Sequence, residues 1–337
     1  MAANTKIAWA THTFNPWIGC TKVSPGCANC YAEAEDKRRQ WTAEGFGPGK
    51  PRKITSWANW QQPLKWNNEA KNSGTRPRVF CASLADWLDD EVPVAWLADL
   101  LDLIGKTPHL DWLLLTKRPE KFNKRIDAVI DYNGKNWKSL WTQGEVPKNV
   151  WLGTTVENQE MANKRIPDLL KIPARVRFLS CEPLLGPVDL ADLVVNDGKP
   201  GERHVDCLDN EGLHIDDDPD FKGATIDWVI AGGESGSRAR PMHPAWLRGL
   251  RDQCKVAGVP FFFKQWGEWI DGNSVADLPD HEPKRIGHLA LDGTLANDVT
   301  MPFNKRDGMK IVVLVGRKIT GRLLDGVEHN EIPEVQP

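Results

Sequence analysis

Residues 112–130 read WLLLTKRPEKFNKRIDAVI. The first six, Trp112–Lys117, form a continuous apolar run that ends in a base, which predicts a short strand covered on both faces. Glu120–Ile130 then spaces its apolar residues as one face of a helix. Strand and helix keep alternating outward from this unit. Strands are expected at Arg78–Ser83, Val150–Val156, Val176–Glu182, Asp227–Gly233 and Pro260–Gln265, with one more around Ile7–Thr13. Val94–Ile104, Gln159–Leu170 and Pro244–Ala257 read as amphipathic helices between them. Two regular architectures satisfy such alternation, a doubly wound sheet and a β/α barrel. Polar residues follow nearly every strand (Asp86, Lys117, Arg118, Glu157, Glu182, Glu234, Lys264), whereas the strand starts are plain. That asymmetry predicts an α/β fold of the partial TIM-like barrel kind, with about six to seven parallel strands and its chemistry at their C-terminal ends. The barrel is expected over residues 1–270 with an insertion at 196–224, and residues 271–337 as a C-terminal extension packed on it.

Two stretches break the rhythm. Arg38–Asn72, rich in Gly, Pro and Trp, reads as an irregular excursion. Asn196–Asp220 carries nine acids against two bases and reads as a solvated insertion. Ile311–Gly326 starts with a strand-like run and reads as a short cap. The net charge of -3 removes any global basic signature, so contact with nucleic acid would need a local patch. The first residues lack an apolar run behind a basic start, and no run of about 18 apolar residues occurs, so a soluble, cytoplasmic chain with no membrane partner is expected. Sixteen tryptophans stand against two tyrosines, a balance that core and pocket filling explains.

Three of the seven cysteines crowd into FNPWIGCTKVSPGCANCYAE, residues 14–33. Cys20, Cys27 and Cys30 form a C-x6-C-x2-C array, and Gly19, Pro25 and Gly26 mark a tight loop. In a chain without an export signal this is metal or redox chemistry rather than a disulfide framework. Three thiolates leave one iron of a [4Fe-4S] cluster open to a ligand, whereas a structural zinc site recruits a fourth group. His12, Cys81 or Cys181 are the fourth groups available to zinc, and three unrelated core cysteines are the remaining reading. His204, Cys207 and His214 with Asp216–Asp218 form a second, irregularly spaced metal candidate.

The run from Phe14 to Glu33 resembles the signature of a phage-borne and prophage-borne family of unknown function, close to the radical S-adenosylmethionine enzymes and their spore-photoproduct-lyase-like branch. LLLTKRP, WLGTTVEN, FLSCEPLLG, WVIAGGESG, FFFKQWGEW and GRKITGRLLDG carry the resemblance through most of the chain. It departs from the superfamily in the first cysteine gap, six residues instead of three, and in Asn29 before the last cysteine. The resemblance implies a [4Fe-4S] cluster on Cys20, Cys27 and Cys30, S-adenosyl-L-methionine on its open iron, and an external electron donor. It also implies that Gly232, Gly233 and Glu234, at the end of a late strand, bring backbone against the adenine, and that Cys181 donates a hydrogen atom to a substrate radical. Buried packing is the plainer reading of Cys181, and Cys81 is a weaker candidate for the same role.

Glu157 and Glu182 follow consecutive strands, from where a carboxylate can reach the cofactor's ribose or amino group, or can pair with a base nearby. Lys117, Arg118, Arg238, Arg240 and Lys264 lie at or just past strand ends and are the candidate substrate-binding residues. With Trp57, Trp60, Trp66, Trp87, Trp266 and Trp269 they could hold phosphates and stack bases, which makes a nucleic-acid base or nucleotide the expected substrate; pairing with Asp86, Asp89 and Asp90 is the alternative. A zinc-stabilised, non-catalytic nucleic-acid-binding protein is the rival function.

Overall fold

The computed structural model describes residues 5–133, 141, 146–195, 203–209, 224–277, 284–296 and 308–335. Its main sheet has seven strands: β1 (His12–Phe14), β2 (Arg78–Cys81), β3 (Asp111–Thr116), β4 (Val150–Thr155), β5 (Val176–Cys181), β6 (Trp228–Gly232) and β7 (Phe261–Gln265). Helices α1 (Tyr31–Arg39), α2 (Gln62–Ser73), α3 (Val94–Gly105), α4 (Phe122–Asn133), α5 (Gln159–Leu170) and α6 (Pro244–Ala257) fall between them. The strands lie in chain order, and β1 with β2, β2 with β3, β3 with β4 and β6 with β7 pair in parallel. A doubly wound sheet reverses its order at a switch point. No reversal occurs here, so the topology is that of a partial β/α barrel, consistent with a TIM-like fold.

The chain divides into two compact units, Met1–Thr155 with Arg165–Phe178, and Val156–Lys164 with Leu179–Pro337. In the first, β3 and β4 are buried along almost their whole length, as expected of strands covered on both faces. The α3 helix buries Leu97, Ala98, Leu100, Leu101, Leu103 and Ile104. Its end is closed by side chains rather than glycine: Thr107 Oγ1 donates to Leu103 O at 2.8 Å and accepts from Trp112 Nε1 at 3.0 Å, and Asn149 Nδ2 donates to Ile104 O at 3.0 Å.

The expected irregular stretch Arg38–Asn72 in fact holds a one-turn helix, Trp57–Trp60, and α2. Local chemistry accounts for both. Ser56 caps the turn by accepting from Asn59 N, Pro63 sits in the first turn of α2, and Gly74 ends α2 in the left-handed conformation at φ 67°. Tryptophan and asparagine among the helix formers hide the periodicity. β1 is also shorter and later than Ile7–Thr13, because the ladder to β2 opens only at His12↔Val79 and Ala10 N closes a turn on Ile7 O.

In the second unit a hairpin of Leu193–Val195 and Arg203–Val205 occupies part of the β5 to β6 connection. Most of the acidic insertion, with His214 and Asp216–Asp218, lies outside the described residues. The C-terminal residues form an antiparallel sheet of β8 (Trp269–Asp271), β9 (Arg285–Leu289), β10 (Leu295–Ala296) and β11 (Lys310–Leu314), in the order β8, β11, β9, β10. Indole donors tie this region to β6, α6 and β7: Trp228 to Glu331 O, Trp246 to Leu291 O and Trp266 to Leu323 O, at 2.8 to 2.9 Å. Among the described residues no helix is long and apolar enough to cross a membrane.

Two glycines test the packing. A Cβ on Gly153 of β4 would stand 2.4 Å from the Phe178 ring, so Gly153→Ala is expected to cost about 1 to 3 kcal/mol through overpacking. Gly249, inside α6 with no atom near its would-be Cβ, should accept alanine with a gain of up to about 1 kcal/mol. Urea denaturation of both variants reads the difference, and equal effects would contradict the packing.

Candidate functional site

The cysteine loop leaves β1 and is pinned before it reaches Cys20. Gly19 adopts φ +116°, and a Cβ there would lie 2.2 Å from Gly45 O, so this crossing requires glycine. Gly19 N donates to Leu84 O at 3.2 Å, Cys20 N to Gly45 O at 3.1 Å, and Gly47 N to Cys20 O at 3.0 Å. The Gly- and Pro-rich run at 45–52 is therefore the floor of the cysteine loop. Cys27 ends a 3-10 turn opened by Pro25, with its Sγ 3.8 Å from Ser24 Oγ, and Cys30 occupies the N-cap position of α1. Lys22 ties the far side of the loop through Ala28 O at 3.3 Å and Glu33 at 2.8 Å.

Two buried arginines hold this loop. Arg52 has a fully buried side chain; it pairs with Asp89 at 2.8 Å and Glu91 at 2.7 Å, and donates to Thr21 Oγ1 at 2.7 Å and to the carbonyls of Gly45, Gly47 and Lys50. Arg118, just past β3, pairs with Asp86 at 2.9 Å and donates to Thr21 O at 2.6 Å. Its Nη1 and Nη2 lie 3.7 and 3.8 Å from Cys20 Sγ. Asp86 also accepts from Thr116 Oγ1 at 2.7 Å, Lys117 N at 2.8 Å and Leu88 N at 3.0 Å. Burial works against the Arg118 charge, but Asp86, Cys20 and Asp89 outweigh it and hold the guanidinium firmly protonated. Burial first, then the Asp86 carboxylate, push the Cys20 thiol up to about 12 against the pull of Arg118.

The three loop cysteines are half-buried residues in no disulfide, with the Cys20 sulfur the buried one, whereas Cys81, Cys181, Cys207 and Cys254 are buried throughout. As a donor set the loop thiols fit a cluster. Among the described residues, however, no three His, Cys, Asp or Glu side chains are gathered closely enough to hold an ion. The fourth groups weighed for zinc are engaged elsewhere: the His12 ring stacks on Trp66 at 4.3 Å, and Cys81 and Cys181 are completely buried. In the second metal candidate, His204 Nδ1 bonds Asp192 Oδ1 and Cys207 is buried.

The second unit holds the remaining predicted residues. Glu182 pairs with Lys264 at 2.8 Å and accepts from Ser180 Oγ at 3.3 Å. Glu234 takes Arg240 in a two-point grip at 2.6 and 2.9 Å. Glu157 is fully buried, and its backbone O accepts from Leu185 N at 2.7 Å. Cys181 lies within electrostatic reach of Cys254, Glu182 and Glu157, and burial above all keeps its thiol protonated. The protein itself fills the space over the Gly232–Gly233 pair: a Cβ on Gly233 would lie 1.8 Å from the backbone Trp266 O, and one on Gly232 3.0 Å from the Glu182 side chain at Oε1.

The bases predicted to bind substrate thus separate into two kinds. Arg118, Arg240 and Lys264 face carboxylates, whereas among the described residues Lys117 Nζ meets only the Thr155 hydroxyl, at 3.1 Å, and Arg238 sits in the loop beyond β6. Of the tryptophans grouped with them, Trp60, Trp66, Trp87, Trp266 and Trp269 are buried and Trp57 is 77% exposed. Sequence reading missed Arg52 and Gly45; the only trace was the glycine and proline density of residues 45–52, which predicts irregular backbone but not what it supports.

Two measurements test this account. Asp86→Ala strands the buried Arg118 charge and should cost about 3 to 5 kcal/mol in a denaturant titration. A raised thiol value means that the folded state holds the proton of Cys20 more tightly, so its contribution to stability should be lost as pH rises from 9.0 to about 12. At pH 8, mass spectrometry should show Cys20 of the metal-free protein alkylating more slowly than in the denatured chain, because burial keeps its thiol protonated. Equal rates would contradict the burial of its sulfur.

No curated protein and no solved structure matches the chain. A family profile described as protein of unknown function (DUF5131) matches residues 4–333, nearly the full length, and the chain therefore belongs to that family.

Proposed function

We propose that this protein is an iron-sulfur enzyme of the radical S-adenosylmethionine type acting on a nucleic-acid base or nucleotide. The observation that carries the reading is the C-x6-C-x2-C loop directly after the first strand of a parallel sheet in sequential order, with half-buried cysteines and a backbone held by glycine contacts and two buried arginines. A loop with so much buried ionic support is built to present its thiols in one arrangement.

Cys20, Cys27 and Cys30 would hold the cluster. When bound, such a cluster would supply the one-electron reduction, fed by an external reductant, that opens the sulfonium of S-adenosylmethionine. The chain's own residues do the rest. Arg118 anchors Cys20. Cys181, protonated and shielded from water, has the form a hydrogen-atom donor needs. Lys117 is the base best placed to receive a phosphate, since no carboxylate faces it among the described residues.

Anaerobic preparation should give brown protein with about four irons and matching sulfide per chain, lost in Cys20→Ala, Cys27→Ala or Cys30→Ala. Reduced protein should release 5'-deoxyadenosine and methionine from S-adenosylmethionine. Stoichiometric zinc without sulfide would replace this reading with a zinc-stabilised binding protein. For the substrate, the salt dependence of affinity for a short single-stranded oligonucleotide is the test: Lys117→Ala should lower the slope by about one unit, and Arg240→Ala, whose charge Glu234 already meets, should leave it. No binding at low salt would remove nucleic acid from the proposal.

A further inference from the structure

We infer that Arg118 is a positioning residue that sets the reduction potential of the cluster through Cys20, with Asp86 as its counterweight; this rests on the cluster reading above. Cys20 differs from the other two loop cysteines in its surroundings. Both terminal nitrogens of Arg118 point at its sulfur, at 3.7 and 3.8 Å, and one of them also takes Thr21 O at 2.6 Å, which fixes the guanidinium against the backbone next to the thiol. Among the described residues Cys27 Sγ meets the Ser24 hydroxyl, at 3.8 Å, and no arginine.

Hydrogen bonds and positive charge at a ligating sulfur stabilise the more negative, reduced cluster and raise its potential. The Arg118 side chain is only 6% exposed, so water screens this effect weakly. Asp86, equally buried and 2.9 Å from Arg118, acts in the opposite sense, and its bonds from Thr116 Oγ1 and Lys117 N fix its place at the end of β3. The pair is a buried charge couple next to one ligand. Arg52, although close in the loop, spends its donors on Thr21 Oγ1, three carbonyls and two carboxylates, so it builds the loop without touching a sulfur.

A purely structural pair would respond to loss of either partner in the same way. A tuning pair responds in opposite directions. The test is anaerobic potentiometric titration of full-length wild type, Arg118→Gln and Asp86→Asn, each monitored by cluster absorbance and electron paramagnetic resonance after iron and sulfide per chain are matched. Arg118→Gln should move the midpoint potential to more negative values, and Asp86→Asn to more positive values. Arg118→Lys, which keeps the charge and loses the fork, should fall between wild type and Arg118→Gln. If Arg118→Gln does not fold, the Asp86→Asn and Arg118→Lys shifts carry the test, since each has its own predicted sign. Unchanged potentials in iron-loaded variants, or shifts of the same sign for Arg118→Gln and Asp86→Asn, would overturn the inference while leaving the cluster reading intact. Wild type without iron would overturn both.

Discussion

The Asp86–Arg118 pair is the interaction on which the candidate site depends. Asp86 is at once the acceptor for the end of β3, through Thr116 and Lys117, and the counter-ion of the arginine that reaches the cysteine loop. One carboxylate thereby connects a core strand to Cys20. Two charges removed from water are expensive unless every lone pair and proton finds a partner. The two carboxylate oxygens of Asp86 accept four donors, and Arg118 spends its fork on Asp86, Thr21 O and Cys20. Such a pair contributes little net stability compared with apolar replacements. What it supplies is a defined position, because a displaced partner would leave an unpaired buried charge.

Around that pair much of the loop is fixed through its backbone, with Thr21 and Lys22 adding side-chain ties. Gly19 and Gly45 cross at a distance no Cβ tolerates, and Arg52 gathers three carbonyls of the 45–50 turn. A segment without regular structure becomes rigid when a single buried cation satisfies its carbonyls. The same economy of space appears in the second unit, where Gly233 lets β7 run on past it against Trp266 O. There the closeness that glycine permits serves internal packing.

The tryptophans divide along similar lines. Seven of them, Trp9, Trp17, Trp87, Trp112, Trp141, Trp151 and Trp228, are among the largest completely buried side chains, so the unusual composition is mainly a matter of filling the interior with large rings. Several also act as donors that hold chain segments together, as Trp228, Trp246 and Trp266 do for the C-terminal region. Trp57, on a one-turn helix, is the exposed member among the described residues.

The sequence by itself determined the alternation of strands and helices, because apolar periodicity is a property of near neighbours and survives in any tertiary setting. α5 and α6 were legible to the residue, and six of the seven strands to within one or two residues at each end. It also determined that Cys20, Cys27 and Cys30 share one loop, since their spacing and turn residues are local. α2 was hidden by its tryptophan and asparagine content. What only the tertiary structure decided is which charges meet. Arg118 lies 98 positions from Cys20, and Arg52 lies 37 from Asp89. Lysines and arginines past successive strand ends look alike in sequence, yet among the described residues Arg118, Arg240 and Lys264 are matched by carboxylates while Lys117 meets a hydroxyl. Pairing depends on where the chain's return paths bring side chains within a few ångströms, and no local pattern encodes that distance.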